Sequence, residues 1–310
     1  MLRSILVALD DTPGAEAACD VAIDLARRTG AALTAAAVLD RPHIQDQHEP
    51  TPPGGAAFKE RRDAALLRKA GVDAEAAFAA CAMAAGDLHF TQLILEDAPE
   101  PALLTAGAAH DLVVIGRDST LGREENPDGL APVIEALLKD GARPLLVVPP
   151  LAPLPRAHRA SGEDGATGAI AALLRDGEHA LRAVTPTGSG ILVGYDGSIP
   201  AMRVLQLFAL LGLDEGSPVR VLALGDSAAA AEAVAEQGAS YLRRHGINAR
   251  GVGAIGAKPV DALLAEASAM PARLLVAGAY GTTVGLRSIF FGSTTRRLLR
   301  DSPCPVFVHH

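Results

Sequence analysis

The chain has 310 residues, of which 49% are apolar, and a formal net charge of −8 at neutral pH. This length permits two domains with well-buried cores. The negative charge argues against nucleic-acid binding, because that requires a positively charged surface. Because no apolar stretch is long enough to cross a bilayer and no secretory signal precedes the first apolar run, the sequence predicts a cytoplasmic protein without a membrane partner.

Three segments of the first half recur in the same order in the second half. The matched pairs are residues 5–10 with 191–196, 111–116 with 273–278, and 137–147 with 298–308. Coincidence would not preserve this order, so the chain is predicted to hold two copies of one domain. The first copy is residues 1–150, the linker is 151–189 and the second copy is 190–310.

Each copy is predicted to alternate strands and helices, beginning and ending with a strand. The predicted strands of the second copy lie near residues 190–195, 218–224, 248–254, 273–278 and 305–309. These are short apolar runs without clean alternation, as expected where helices cover both faces of a sheet. The predicted fold class is therefore α/β, with two doubly wound five-stranded parallel-sheet domains in tandem.

The first copy is longer than the second between its first and fourth strands, which indicates an insertion. Residues 41–62 hold several prolines and glycines and are predicted to form a loop. His43, Asp46 and His48 lie in this stretch, where a solvated loop is the default interpretation and a metal site the alternative. In the linker, residues 166–184 are predicted to form a helix that packs on a domain, with a partner-binding helix as the alternative.

The three cysteines are far apart and odd in number: Cys19, Cys81 and Cys304. They form neither a CxxC pair nor metal-ligand spacing. We therefore expect them to be small core residues in a reducing compartment, and we predict no metal site.

A glycine-rich stretch follows the fourth strand of the second copy. Gly278 and Gly281 lie at its start, and Gly292, Ser293 and Thr294 open the next helix-like segment. Glycines let a backbone approach an anion closely, and a helix start offers unpaired N–H groups and a positive dipole. This pattern predicts a phosphate site, although Ser293 can also cap the helix with the same N–H groups.

Asp196 ends the first strand of the second copy, next to Gly197 and Ser198. In doubly wound sheets, ligands bind at the carboxyl ends of strands, so Asp196 and Gly278 are both placed to meet one. The alternative for Asp196 is that it caps the following helix, a role that Gly197 and Ser198 could also fill.

The Asp196-Gly197-Ser198 strand end, the glycine-rich stretch and the segment 301–306 together resemble the universal stress protein family, in its tandem two-domain form. The resemblance covers both copies. It implies a fold of the adenine nucleotide alpha-hydrolase type that binds ATP, with or without Mg²⁺, or a related adenine nucleotide. The loop between Gly281 and Gly292 is one residue longer than in ATP-binding members of the family.

The resemblance implies that Asp196 contacts the adenosine end and that Gly278 lets the ribose approach. The backbone near Leu222 and Leu224 would then meet the adenine edge. Four residues would hold phosphates: Gly281, Gly292, Ser293 and Thr294. Arg287, in the loop, is a further predicted phosphate contact because of its charge rather than because of the resemblance.

The first copy departs from this pattern. Ser119 replaces the second glycine, and four carboxylates would repel phosphate at close range: Asp118, Glu124, Glu125 and Asp128. We therefore predict one intact site in the second copy and a degenerate first copy that acts as a scaffold.

The resemblance implies a stress-linked sensor or regulator. Its expected assembly is either a homodimer of two chains or an intramolecular pseudo-dimer of the two copies. A nucleotide-free dimerisation or interaction scaffold is the main alternative. A third hypothesis, an enzyme that forms an adenylated intermediate, lacks the SGGxDS signature that it would need. No catalytic residues are predicted, because GxSxG and GxxxxGK[ST] are both absent from the sequence, so at most slow ATP hydrolysis is expected.

Overall fold

The computed structural model describes residues 1–46, 48–123, 130–150, 190–256, 258–270, 272–279 and 293–310. The helix predicted for residues 166–184 lies outside these ranges. Among the helices that are described, none combines the length and the apolar character that crossing a bilayer requires.

Both copies alternate strands and helices, as predicted. The first copy contains β1 (Ser4–Leu9), α1 (Pro13–Thr29), β2 (Ala32–Val38), α2 (Arg41–Ile44), α3 (Ala56–Ala85), β3 (Phe90–Leu95), α4 (Pro99–Ala108), β4 (Leu112–Gly116), α5 (Val133–Asp140) and β5 (Leu145–Val148). The second copy contains β6 (Gly190–Gly194), α6 (Ile199–Leu211), β7 (Val219–Gly225), α7 (Ala228–Arg244), β8 (Ala249–Ile255), α8 (Pro259–Ala269), β9 (Ala272–Gly278), α9 (Ser293–Asp301) and β10 (Val306–His309). The predicted strands of the second copy agree with β6 to β10 within one residue at each end.

The described strands form one sheet in which each copy contributes five neighbours. Their order is β3-β2-β1-β4-β5-β10-β9-β6-β7-β8. Neighbours within a copy are parallel, whereas β5 and β10 pair antiparallel at the centre, with Leu146 opposite Phe307. The same strand order therefore occurs twice, and the sheet joins the two copies as an intramolecular pseudo-dimer. This architecture confirms the predicted α/β class.

The two faces of the sheet carry separate hydrophobic layers, as β10 illustrates. Phe307 belongs to a buried cluster that also contains Ile5 and Val193. Its neighbours Val306 and Val308 belong to the cluster on the other face. Because successive side chains of a strand point to opposite faces, each central strand contributes to both layers. Each layer extends across the β5–β10 junction, so both hydrophobic layers are continuous between the two copies.

The loop predicted for residues 41–62 is wrong in part, because this segment contains α2 and the first turns of α3. The carboxylate of Asp40 caps α2 by accepting a hydrogen bond of 3.1 Å from the N–H of His43. Pro42 lies in the first turn, where a missing N–H costs nothing. The proline that indicated a loop therefore marks a helix start. Helix α3 is the longer counterpart of α7 in the second copy, and it packs against α1 and β2.

Candidate functional site

The carboxyl ends of three neighbouring strands meet at one edge of the second copy. In the sheet β6 lies between β9 and β7, and all three are parallel. Asp196 follows β6, Leu224 lies one residue before the end of β7, and Gly278 ends β9. The fold therefore brings these three predicted site residues to the same edge, which is where doubly wound sheets bind ligands.

Asp196 is exposed, and its role in the local fold is to form the turn before α6. Its Oδ1 accepts a hydrogen bond of 2.9 Å from the N–H of Ser198. The helix cap is Ser198, whose hydroxyl accepts a hydrogen bond of 3.3 Å from the N–H of Ala201. Gly197 provides the left-handed backbone of the turn, with φ of 73°. Of the alternatives for capping, the structure therefore selects Ser198 and leaves the carboxylate of Asp196 at the surface.

Leu222 and Leu224 differ in what their backbone groups do. The carbonyl of Leu222 accepts a hydrogen bond of 2.9 Å from the N–H of Tyr195, so Leu222 lies inside the ladder between β6 and β7. Alternate residues of a strand direct their N–H and C=O groups to the same neighbour. The backbone of Leu224 is therefore directed to the side of β6, beyond Tyr195 and beside Asp196. Of the two leucines, Leu224 is better placed to meet a ligand.

Gly278 has a packing role in addition to the role that the resemblance implies. A Cβ at this position would lie 2.7 Å from the backbone nitrogen of Ala201 and 2.8 Å from the carbonyl carbon of Pro200. These atoms belong to the first turn of α6, so the glycine permits close contact between β9 and that helix. Gly116 has the same relationship to Gly14 and Ala15 in the first copy. Close strand–helix packing is thus sufficient to explain both glycines.

The helix predicted to follow the glycine-rich stretch is α9. It connects β9 to β10, which are parallel neighbours, so its N-terminus lies at the same edge as the end of β9. Ser293 begins the helix, and Thr294 is exposed in the first turn. The backbone N–H groups at such a helix start can donate hydrogen bonds to an anion. Three further predicted site residues, Gly281, Arg287 and Gly292, lie outside the described residues.

The corresponding edge of the first copy is occupied by the chain itself. Asp10 is the counterpart of Asp196, but both of its carboxylate oxygens accept hydrogen bonds. Oδ1 accepts from the N–H and the hydroxyl of Thr12 at 3.0 and 2.6 Å, and Oδ2 accepts from the N–H of Leu121 at 2.9 Å. The side chain of Leu121 is buried. The loop after β4 therefore closes over the strand ends.

Arg123 fixes the same loop from its other side. Its guanidinium donates to Asp40 at 2.8 Å and to Glu100 at 2.7 Å. Burial opposes the charge of this guanidinium, but the two carboxylates outweigh burial and raise the pKa of Arg123. The ion pairs join the loop after β4 to Asp40, just after β2, and to the first turn of α4.

Asp118 and Ser119 lie in the turn after Gly116. Ser119 is at the position where the sequence of the second copy has Gly281. Burial raises the pKa of Asp118, and its Oδ1 and the hydroxyl of Ser119 have no hydrogen-bond partner among the described residues. Both side chains add bulk at the turn where a phosphate would approach. The other predicted repelling carboxylates, Glu124, Glu125 and Asp128, lie outside the described ranges.

A groove with a volume of about 480 Å³ lies between α1 and α3 in the first copy and reaches Leu9 and Asp10 at the end of β1. Cys19 and Cys81 line it from facing helices, and both side chains are buried. Sequence reasoning did not pair these cysteines, because their distance along the chain carries no spacing signal. The fold also brings no group of three or more potential metal ligands together within the described part of the chain.

The described residues form two copies of a doubly wound α/β domain in tandem, each with a candidate ligand edge at its strand ends. The sequence model of the universal stress protein family matches residues 1–149 and 190–310. The chain therefore belongs to the universal stress protein family. No curated protein matches the chain in sequence.

Solved structures with the same tandem architecture agree with this assignment. A universal stress protein from Archaeoglobus fulgidus DSM 4304 is similar, with a TM-score of 0.62 and 16% identity over 99% of this chain and 97% of that one. A candidate universal stress protein from Pseudomonas aeruginosa UCBPP-PA14 has a TM-score of 0.51 and 16% identity over 99% of this chain and 93% of that one. At these identities the likeness shows the fold alone.

Proposed function

We propose that the chain binds ATP, with or without Mg²⁺, or a related adenine nucleotide, through the carboxyl edge of its second copy. The observation that carries this proposal is the contrast between two equivalent aspartates. Asp196 is exposed and keeps one carboxylate oxygen without a hydrogen bond among the described residues, whereas both oxygens of Asp10 are engaged. Family membership supplies the nucleotide class.

In this proposal Asp196 accepts hydrogen bonds from ribose hydroxyls, and the backbone of Leu224 meets the adenine edge, with Leu222 supporting it from inside the ladder. The backbone of Gly278, at the end of β9, lies next to the ribose. The phosphates extend towards the N-terminus of α9, where backbone N–H groups and the helix dipole favour negative charge. The residues proposed to hold them are Gly281, Arg287, Gly292, Ser293 and Thr294.

Calorimetric titration of the full chain with ATP, with and without Mg²⁺, tests the proposal. We expect one site per chain. Asp196→Asn should weaken binding about tenfold, because an amide is a poorer acceptor for two hydroxyl groups than a carboxylate is. The matched control is Asp10→Asn, which should leave the affinity unchanged. Equal losses in both variants, or no heat at millimolar ATP, would contradict a single site in the second copy.

The alternative function is a nucleotide-free scaffold, and one observation favours it. The first copy fills its own ligand edge, yet it contributes half of the continuous sheet. Mass spectrometry of small molecules released from the purified, denatured protein separates the two functions. Recovery of an adenine nucleotide supports binding, whereas its absence together with silent calorimetry supports the scaffold. In either case we propose a cytoplasmic, stress-linked regulator rather than an enzyme.

A further inference from the structure

The groove between α1 and α3 brings together two thiols from distant parts of the chain. Cys19 lies on α1 and Cys81 lies near the end of α3. Both line the groove, and both belong to the same buried cluster. They are 5% and 2% exposed, so a small molecule can reach them only through the groove.

Cys19 and Cys81 line the same groove from facing helices, and their interaction affects the two thiols in opposite directions. The interaction with Cys81, together with burial, raises the pKa of Cys19, whereas the interaction with Cys19 lowers the pKa of Cys81. Because the thiolate is the reactive form of cysteine, Cys81 is the nucleophile of the pair and Cys19 is the partner that follows it. The third cysteine, Cys304, is also buried, in the cluster on the other face of the sheet.

We propose that Cys19 and Cys81 form a reversible disulfide that fastens helix α3 to α1 when a small neutral peroxide is present. This site is independent of the proposed nucleotide function, because it lies in the first copy, whereas the nucleotide is proposed to bind at the strand ends of the second copy. The disulfide would hold the two helices at a contact that now depends on a small number of buried side chains, among them Ala74 and Phe78.

The chemistry balances with hydrogen peroxide as the oxidant. The thiolate of Cys81 attacks one peroxide oxygen, the O–O bond breaks, and the leaving hydroxide takes a proton to become water. The sulfur of Cys19 then attacks the sulfur of the resulting sulfenic acid, and the second hydroxide leaves as water with the proton of the Cys19 thiol. Two thiols are oxidised, one peroxide is reduced, and an external dithiol reverses the reaction.

The charge of the groove favours this oxidant over glutathione disulfide. Asp10, Glu16, Asp20 and Asp73 line the groove together with alanines. A neutral peroxide meets no repulsion from these carboxylates, whereas a bulky anionic disulfide does. Oxidation by peroxide should therefore produce the internal link and no mixed disulfide.

The test treats the full chain with hydrogen peroxide or, separately, with glutathione disulfide, alkylates the remaining thiols after denaturation and maps the peptides by mass spectrometry. We expect loss of two of the three free thiols and a Cys19–Cys81 peptide that a dithiol reverses. The matched variant Cys304→Ser should behave like the wild type. Retention of all three thiols, a link that includes Cys304, or a mixed glutathione disulfide at Cys81 would overturn the proposal.

A second measurement identifies the nucleophile. In Cys19→Ser, a sulfenic acid at Cys81 should accumulate and react with dimedone, whereas Cys81→Ser should give no such adduct. The reverse pattern would overturn the assignment of Cys81. Peptide mapping of the wild type needs no variant, so the disulfide itself stays testable even if either serine variant fails to fold.

Discussion

The backbone N–H of Leu121 donates a hydrogen bond of 2.9 Å to Oδ2 of Asp10 in the first copy. It places the loop after β4 over the strand ends of the first copy. The equivalent carboxylate of the second copy, Asp196, bonds only within its own turn among the described residues. The strand-end aspartate of the first copy is therefore tied to the loop after β4, whereas that of the second copy is exposed.

Replacing these aspartates should affect stability unequally. Asp10→Ala removes the acceptor for three hydrogen bonds and leaves the N–H groups of Thr12 and Leu121 without it, so we expect a loss of about 2–3 kcal/mol. Asp196→Ala removes one bond at an exposed turn and should cost less than about 1 kcal/mol. Urea denaturation of both variants measures the difference, and equal midpoints would contradict the distinct roles of the two residues.

Arg123→Met should destabilise the first copy, because it leaves the carboxylate of Asp40 buried without its cation. Asp40 is 4% exposed, whereas the guanidinium partner is about a third exposed, so we expect a loss of about 2–3 kcal/mol rather than the full cost of a buried pair. Asp40→Asn combined with Arg123→Met should lose less than the sum of the single changes. Additive losses in the double-mutant cycle would show that the pair is not coupled.

Gly278→Ala should destabilise the second copy by about 1–3 kcal/mol, since its Cβ would press on the first turn of α6. The matched control is Gly71→Ala in α3, where a Cβ meets nothing within 4 Å. That substitution should stabilise the protein by about 0.5–1 kcal/mol, because alanine is the better helix former. Thermal unfolding of both variants compares the signs, and a harmless Gly278→Ala would leave ligand approach as the reason for the glycine.

The stability of the protein should fall in mild acid because of His309 at the end of β10. Burial and the charges of His310 and Arg203 lower the pKa of His309 to about 4. A hydrogen bond to the backbone of Arg143 acts in the opposite direction and is outweighed. The unfolded chain, with a pKa of 6.5, binds the proton more readily. Stability that is present above pH 6.5 is therefore lost progressively as the pH falls towards 4.

His309→Gln removes this titration, so its unfolding midpoint should fall less steeply than that of the wild type between pH 6.5 and 4. Thermal unfolding at several pH values measures the two slopes. Carboxylates titrate in the same range in both proteins, so only the difference between the curves reports on His309. Parallel curves would show that burial of this imidazole does not influence folding.

The amino-acid sequence by itself determined the repeated α/β order, because short apolar runs such as residues 5–9 and 191–194 encode strands that helices cover on both faces. It also predicted the helix start at Ser293 and the strand-end position of Asp196, since these are local signals. The helical content of residues 41–62 was missed, because prolines and glycines mark helix starts as well as loops.

Other features depend on contacts between distant residues and were decided only by the tertiary structure. Leu121 and Asp10 are far apart in sequence, so no local pattern shows that the loop after β4 contacts the residue that follows β1. Cys19 and Cys81 become neighbours only because α3 packs on α1. Gly278 resembles a ligand-binding glycine in sequence, but the space beside it is filled by the backbone of α6. Local sequence specifies hydrogen bonding and burial along one element, whereas packing specifies which elements meet.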